Sequence, residues 1–176
     1  MLGPRYVESI HDQLISLVWP GTDPIRAGEY RDPRLIESAV GRPFQSALGV
    51  EIFPTIIEKG AALFHSLISN HPFHNGNKRT AVIALDLFCL GNAHMLVLSN
   101  DAMYKLAEKT ASYRERNTTH EKSMHEIYTE IRDSVVPLEV IRFEAEKTPR
   151  FKLAFDEAVK FQDIIRSTPD NKLIQS

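Results

Sequence analysis

Apolar residues recur along most of the chain at spacings of three and four, which is the period of an amphipathic helix. No pair of alternating apolar runs is joined by a hairpin turn, so strand signals are weak. The pattern predicts helices at about 6–18, 54–70, 79–90, 100–113 and 119–133. It therefore indicates an all-α fold.

Proline, glycine and a capping aspartate predict one further short helix. Asp32 suits the N-cap position and Pro33 the first helical position. Gly41 and Pro43 then end this helix. The segments on either side of it, 20–32 and 43–53, are predicted to be loops.

The segment 79–90 differs from the other helical segments because it is apolar almost all round. A helix of that kind is normally buried at the centre of a bundle. The preceding segment, 71–78, is polar and carries Gly76, so it is predicted to be a loop. We therefore expect a polar loop that leads directly into a buried central helix.

The sequence pattern changes near the C-terminus, in a stretch between two prolines. Pro137 and Pro149 flank it, and one more amphipathic pattern follows at 150–167. We predict a main domain at 1–136 and a C-terminal helical extension at 137–176. The extension is expected either to pack on the main domain or to contact a partner.

Composition narrows the class of protein. Hydrophobic residues make up 43% of the 176 residues and charged residues 25%, as in ordinary globular proteins. The formal net charge of -2 argues against direct nucleic acid binding, which usually brings a basic excess. No segment is long and apolar enough to span a membrane, and there is no apolar signal-peptide core. The expected location is cytoplasmic.

The loop at 71–78 contains the candidate chemistry. A helix that starts after it would present unpaired amide groups and a positive dipole end, which together favour an anion. Gly76 lets the backbone approach a ligand, Asn77 can donate hydrogen bonds, and Lys78 and Arg79 add two cations. These four residues are the candidate phosphate-binding residues.

Two further residues of this loop have predicted roles. His71 can accept a proton from a hydroxyl near neutral pH, which makes it a candidate general base. Phe73 is expected to anchor the loop in the core. Each residue alone is more often structural or solvated, and His71 with His74 is weak evidence for zinc. The functional interpretation depends on the combination.

The letters HPFHNGNKRT at residues 71–80 resemble the signature of the Fic/Doc family. That signature reads His-x-Phe-x-(Asp/Glu)-(Gly/Ala)-Asn-(Gly/Lys)-Arg. The letters YRDPRLIESA at residues 30–39 are similar to an early segment of the family, and residues 53–62 to the helix before the signature. The resemblance covers about residues 5–133, and the lysine at 78 looks like the Doc (death-on-curing) branch.

The resemblance implies a helical bundle with the signature loop before a central helix. It implies that His71 acts as general base on a hydroxyl of a target protein. It also implies that Gly76, Asn77 and Arg79 hold the phosphates of ATP, with Mg²⁺ bridging them. A Doc-like toxin further implies a translation factor as target, such as elongation factor Tu. It also implies a separate antitoxin protein that blocks the site.

Three residues distinguish the possible activities. Asn75 stands where the family has an acidic metal ligand, so it would offer Mg²⁺ a neutral oxygen. Lys78 stands where adenylylating members have glycine, and Val82 where they have a second arginine. These two residues favour transfer of the terminal phosphate. The alternatives are AMP transfer, or a Fic-fold binding or regulatory module with weakened catalysis.

Overall fold

A computed structural model of the chain describes residues 2–16 and 30–145. The described residues form seven α-helices and two small two-stranded antiparallel sheets. The helices are α1 (Pro4–Ser16), α2 (Pro33–Gly41), α3 (Ile56–Asn70), α4 (Asn77–Gly91), α5 (Asn100–Ala111), α6 (His120–Ser134) and α7 (Leu138–Ala145). The predicted all-α fold is confirmed.

Helices α3 and α4 form the centre of the bundle. Helix α4 packs against α1, α3 and α5, and α3 packs in addition against α2 and α6. Phe64 of α3 and Leu85 of α4 are fully buried between them. At Gly60 the two helices approach so closely that an added Cβ would lie 3.1 Å from the Cδ1 atom of Leu85. The prediction that α4 is a buried central helix is confirmed.

Side-chain caps fix where the helices begin. Asp32 caps α2 and accepts a hydrogen bond from the Arg34 amide, with Pro33 in the first turn as predicted. Thr55 caps α3 and exchanges hydrogen bonds with Glu58, so this helix begins at residue 56. These caps pair donors at the helix starts that would otherwise have no partner.

The prediction of a loop at 43–53 is corrected by short regular elements in this range. A 3₁₀ turn (Arg42–Phe44) is followed by a hairpin of β1 (Ser46–Ala47) and β2 (Val50–Glu51). Its two turn residues both have positive φ, 50° at Leu48 and 79° at Gly49. Hairpin turns of this kind normally carry Asn-Gly or Asp-Gly, so a leucine gives no sequence signal.

A second sheet crosses the predicted domain boundary. Strand β3 (His94–Leu96) pairs with β4 (Val135–Pro137), and Leu138 is buried. The boundary at 136 therefore falls within a strand, and the division at that point stays a prediction. The amphipathic segment 150–167 and the predicted loop residues 20–29 lie outside the described residues. None of the described helices is long and apolar enough to cross a membrane.

A pair of histidine rings, of which His65 is buried, joins α3 to α6. The His65 ring lies edge-on to the His120 ring, with ring centres 4.5 Å apart. The Arg42 guanidinium donates to Nε2 of His120 at 2.7 Å, and the Ser69 hydroxyl lies 3.3 Å from Nδ1 of His65. Burial, together with the nearby charges of His120, Arg42 and Arg114, lowers the pKa of His65 to about 4.

This cluster predicts sensitivity to acid. Between pH 6.5 and 4 the unfolded chain takes up a proton at His65 that the folded protein does not. The free energy of unfolding should therefore be highest above pH 6.5 and fall by roughly 3 kcal/mol as pH drops through this window. Urea unfolding of the His65→Gln variant should show a flatter pH dependence than the wild type, whereas His125→Gln, at an exposed site, should not. Equal slopes for all three proteins would contradict the assignment.

Candidate functional site

The polar loop between α3 and α4 begins at an unusual backbone position. Helix α3 ends at Asn70, and His71 then adopts the left-handed conformation with φ 48° and ψ 56°. Histidine is one of the few residues other than glycine that occupy this region with any frequency. The Asn70 side chain donates to the Leu35 carbonyl at 3.2 Å, which ties the end of α3 to α2.

Phe73 anchors the middle of the loop in the core. Its side chain is 1% exposed, and its ring stacks on the His11 ring with centres 3.9 Å apart and planes 5° apart. The Tyr30 ring lies 5.7 Å away on another side. Tyr30 and Phe73 form a backbone bridge, and the Arg31 amide donates to the Pro72 carbonyl at 2.9 Å. The chain before α2 thus holds one edge of the loop.

Asn77 closes the loop from the other side. Its side-chain oxygen accepts a hydrogen bond from the Phe73 amide at 3.0 Å, and its side-chain nitrogen donates to the Phe73 carbonyl at 2.8 Å. The residue is buried. The sequence suggested that this carboxamide faces a ligand, but the structure places it within the loop. Its backbone amide lies in the first turn of α4, where amides have no partner within the helix.

The last residue of the loop shapes the start of α4. Gly76 is the N-cap, with φ 78° and ψ 0°, a conformation that strongly favours glycine. The helical hydrogen bonds of α4 begin with the Thr80 amide, which donates to the Gly76 carbonyl at 2.9 Å. The amides of the first turn therefore lie at the end of the helix that carries the positive partial charge. This geometry can hold an anion.

The two predicted cations lie on this first turn. Lys78 is half-exposed, and its ammonium forms an ion pair with Glu108 of α5. Arg79 is half-buried. Helix α5 thus contributes a carboxylate to the rim of the site, a feature that the sequence analysis did not predict. Such a half-exposed ion pair contributes only about 1 kcal/mol or less.

The environment of His71 favours its neutral form. Partial burial lowers its pKa below the ordinary value, and the nearby cations Arg31, Lys78 and Arg114 act in the same direction. A neutral imidazole can accept a proton, as a general base must. The loop thus carries an imidazole with a lowered pKa at one end and the N-terminus of α4 at the other.

The side-chain and backbone oxygens of Asn75 both accept hydrogen bonds. Its side-chain oxygen accepts from the Gly76 amide at 2.6 Å, and its backbone carbonyl accepts from Nε2 of His11 at 3.1 Å. Among the residues that the structure describes, no group of three or more His, Cys, Asp or Glu could hold a metal ion. A cation at this loop would therefore find one neutral side-chain oxygen at residue 75.

His11 is the residue of this site that the sequence analysis missed. It is 1% exposed, stacks on Phe73 and bonds to Asn75, so it contacts the loop at two points. It also lies on the buried stripe of α1, four residues after Val7 and three before Leu14. A histidine on such an apolar stripe is the signal that could have identified it.

We predict that His11→Ala lowers the free energy of unfolding by about 2 to 4 kcal/mol, because it empties a buried site and removes a hydrogen bond. His11→Phe keeps the stacking on Phe73 and should recover part of this loss. Urea unfolding measures both, with Ser9→Ala at an exposed position of α1 as the control. A loss below 0.5 kcal/mol for His11→Ala, about that of an ordinary surface substitution, would show that the loop does not depend on His11.

Comparison with known proteins identifies the family of this chain. A family model described as the Fic/DOC family matches residues 2–89, which are 88 of the 176 residues. Toxin Doc of Mycolicibacterium smegmatis (strain ATCC 700084 / mc(2)155) is 41% identical over 71 residues, which are 40% of this chain and 55% of that protein. The match thus spans about half the length of this relative, and no solved structure gives a significant match. The chain belongs to the Fic/Doc family.

Proposed function

We propose that this protein is a Doc-like toxin that transfers the terminal phosphate of ATP to a serine or threonine hydroxyl of a target protein. The observation that carries the proposal is the position of the His71 imidazole one short loop away from the N-terminus of α4, with its pKa below the ordinary value. The similarity to Toxin Doc supports the same assignment.

The start of α4 fits the phosphates of ATP. Gly76 opens the backbone there, and the amides of the first turn supply hydrogen bonds to an anion. Lys78 and Arg79 add positive charge on the same turn, and arginine can bind phosphate through two nitrogens. Lys78 would exchange Glu108 for phosphate at small cost, because that ion pair is half-exposed.

The transfer step needs one proton acceptor and one stabilised leaving group. His71 takes the proton of the target hydroxyl while the oxygen forms a bond to the terminal phosphorus. The bond between that phosphorus and the bridging oxygen breaks, and ADP leaves with the electron pair. Arg79, Lys78 and the amides of α4 would stabilise the charge on the phosphate oxygens, which is the main requirement of phosphoryl transfer.

Mg²⁺ would enter this site together with the phosphates. Magnesium usually keeps several waters and binds through phosphates and one or two carboxylates. Here Asn75 offers a neutral oxygen that already accepts the Gly76 amide. The loop therefore fits a metal held mainly by the nucleotide, with Asn75 as a weak protein ligand. The ion would neutralise phosphate charge when bound.

Residues of α4 favour this activity over AMP transfer. Lys78 adds bulk and charge next to the phosphate site, and Val82 provides no cation one turn further along the helix. The alternative to an enzyme is a binding or regulatory module. Asn75 favours that alternative, because it weakens the metal site.

The proposal also includes the partners and the location of the protein. The target would be a translation factor such as elongation factor Tu, a separate antitoxin would block the site, and the location would be cytoplasmic.

Labelled ATP tests the proposed reaction directly. In a cell lysate with Mg²⁺, ATP labelled at the terminal phosphate should label a protein, and ATP labelled at the alpha phosphate should not. His71→Ala should reduce the labelling rate by roughly 10²- to 10⁴-fold, the usual effect of losing a general base, with little change in ATP binding. Equal rates for variant and wild type would show that His71 is not the base.

The other outcomes of this experiment separate the alternatives. Labelling from the alpha phosphate would assign AMP transfer to the site. No labelling from either position, with folded protein that binds ATP, would favour the binding module. His125→Ala, at an exposed histidine of α6, serves as the matched control and should label like the wild type.

The neutral oxygen at residue 75 predicts a high magnesium requirement. Asn75→Asp should lower the Mg²⁺ concentration needed for half-maximal transfer, because a carboxylate attracts a divalent cation more strongly than an amide oxygen does. A magnesium titration of ATP binding and of transfer measures this for both proteins. Identical curves would mean that residue 75 does not contact the metal.

A further inference from the structure

The peptide unit between Asn75 and Gly76, the 75–76 peptide, is held at both of its polar groups. Its carbonyl oxygen, which belongs to Asn75, lies 3.1 Å from Nε2 of His11. Its amide, which belongs to Gly76, donates to the side-chain oxygen of Asn75 at 2.6 Å. Because Gly76 is the N-cap of α4, this peptide leads directly into the proposed phosphate site.

The contact with Asn75 determines which nitrogen of the His11 ring carries a proton. A backbone carbonyl can only accept a hydrogen bond, so Nε2 must donate, and in the neutral ring Nδ1 then has a lone pair. Nδ1 is buried and has no hydrogen-bond partner within residues 2–16 and 30–145. The Oδ1 atom of Asp12 lies 3.7 Å from it, beyond hydrogen-bonding distance. The fold therefore tolerates a costly unpaired nitrogen at the position where His11 pairs the Asn75 carbonyl.

Glycine leaves the orientation of the 75–76 peptide to these two hydrogen bonds. Turning the peptide over would change ψ of Asn75 and φ of Gly76 and leave the path of the chain almost unchanged. Gly76 has φ 78°, and glycine adopts negative φ about as readily as positive φ. Backbone sterics at Gly76 therefore do not choose between the two orientations. The His11 ring can choose, because its stacking on Phe73, with centres 3.9 Å apart, holds the Nε2 donor in place.

The opposite orientation of the 75–76 peptide would disturb the start of α4. The carbonyl oxygen would take the place of the Gly76 amide and face the side-chain oxygen of Asn75. Two acceptor oxygens cannot share a hydrogen bond, so the Asn75 carboxamide would have to leave its present position. The negative end of the peptide dipole would also lie beside the start of α4, where the helix favours an anion. Both changes would weaken the binding of ATP with Mg²⁺.

We propose that His11 is a positioning residue, which keeps the 75–76 peptide in one orientation and so preserves the phosphate and Mg²⁺ sites at the start of α4. The effect on ATP rests on the proposed function, whereas the orientation of the peptide does not. His11 is 1% exposed and acts through Asn75, so it does not contact the reactants itself.

Two substitutions separate the hydrogen bond of His11 from its stacking. His11→Phe keeps a ring against Phe73 but has no donor, and His11→Gln keeps an N–H at about the reach of Nε2 but has no ring. Calorimetric titration with ATP and Mg²⁺ measures affinity, at a temperature where urea unfolding shows that each protein is folded. His11→Phe should bind ATP about two- to ten-fold more weakly than the wild type, the fold-change of one lost hydrogen bond. His11→Gln should recover most of this loss.

A merely structural role of His11 predicts the opposite order, because affinity would then follow the stacked ring. The proposal is contradicted if His11→Phe binds ATP as tightly as the wild type, or at least as tightly as His11→Gln. His125→Phe makes the same exchange at an exposed histidine of α6 and should leave ATP binding unchanged. An equal loss of affinity in this control would also contradict the proposal.

Nuclear magnetic resonance tests the orientation of the 75–76 peptide without ATP. The Gly76 amide should give one signal in the wild type and in His11→Gln, and two signals or an exchange-broadened one in His11→Phe. In the wild type near neutral pH, the proton of the His11 ring should be on Nε2. A proton on Nδ1 alone would overturn the proposal, and this measurement does not depend on whether either variant folds.

These readouts separate failure of the positioning role from failure of the proposed function. Two Gly76 signals in His11→Phe, with no ATP binding by any of the proteins, would support the role of His11 and contradict the proposed function. Phosphate transfer by the wild type, with a single unshifted Gly76 signal and unchanged ATP affinity in His11→Phe, would support the proposed function and contradict the role of His11.

Discussion

The side chain of Asn77 exchanges two hydrogen bonds with the backbone of Phe73, at 3.0 and 2.8 Å, in a part of the protein closed to water. Buried polar groups of this kind must be paired, and breaking either bond would leave an expensive unpaired atom. The pair therefore sets the spacing between the middle of the loop and the first turn of α4. Everything at the site is placed relative to it.

The other side of the loop is held by packing. His11 stacks on Phe73 and bonds to Asn75, while Tyr30 and Arg31 bond to the backbone around Phe73. With its centre fixed on both sides, the loop can keep His71 in a left-handed conformation and Gly76 at the helix start. The fixed centre thus explains how the His71 imidazole and the N-terminus of α4 are held at the two ends of one short loop.

Most of the fold could be predicted from local patterns in the sequence. The helical period located α3 to α6 to within a few residues, and Asp32 with Pro33 placed the start of α2 correctly. The hairpin at 46–51 could not be predicted, since its turn uses Leu48 at positive φ where sequence rules expect asparagine or aspartate. Local signals fail where the backbone departs from common turn chemistry.

The site was only partly accessible to the same reasoning. Its loop and its histidine were evident in the sequence, but the partners of the loop were not. His11 is 64 residues from Asn75, and Glu108 is 30 residues from Lys78, so both contacts depend on how the helices pack. Asn77 shows the opposite difficulty. An asparagine side chain can bond to a ligand as well as to the backbone, and only the structure shows that this one bonds to the backbone of Phe73.

The central claim is that Asn77 shapes the loop and that the backbone of α4, not this side chain, holds the phosphates. A crystal structure with a non-hydrolysable ATP analogue tests it most directly. The account predicts phosphate oxygens on the amides of the first turn of α4, the terminal phosphate near His71, and the Asn77 carboxamide still bonded to Phe73. A structure in which that carboxamide leaves Phe73 to bind phosphate, or in which the nucleotide binds away from α4, would contradict it.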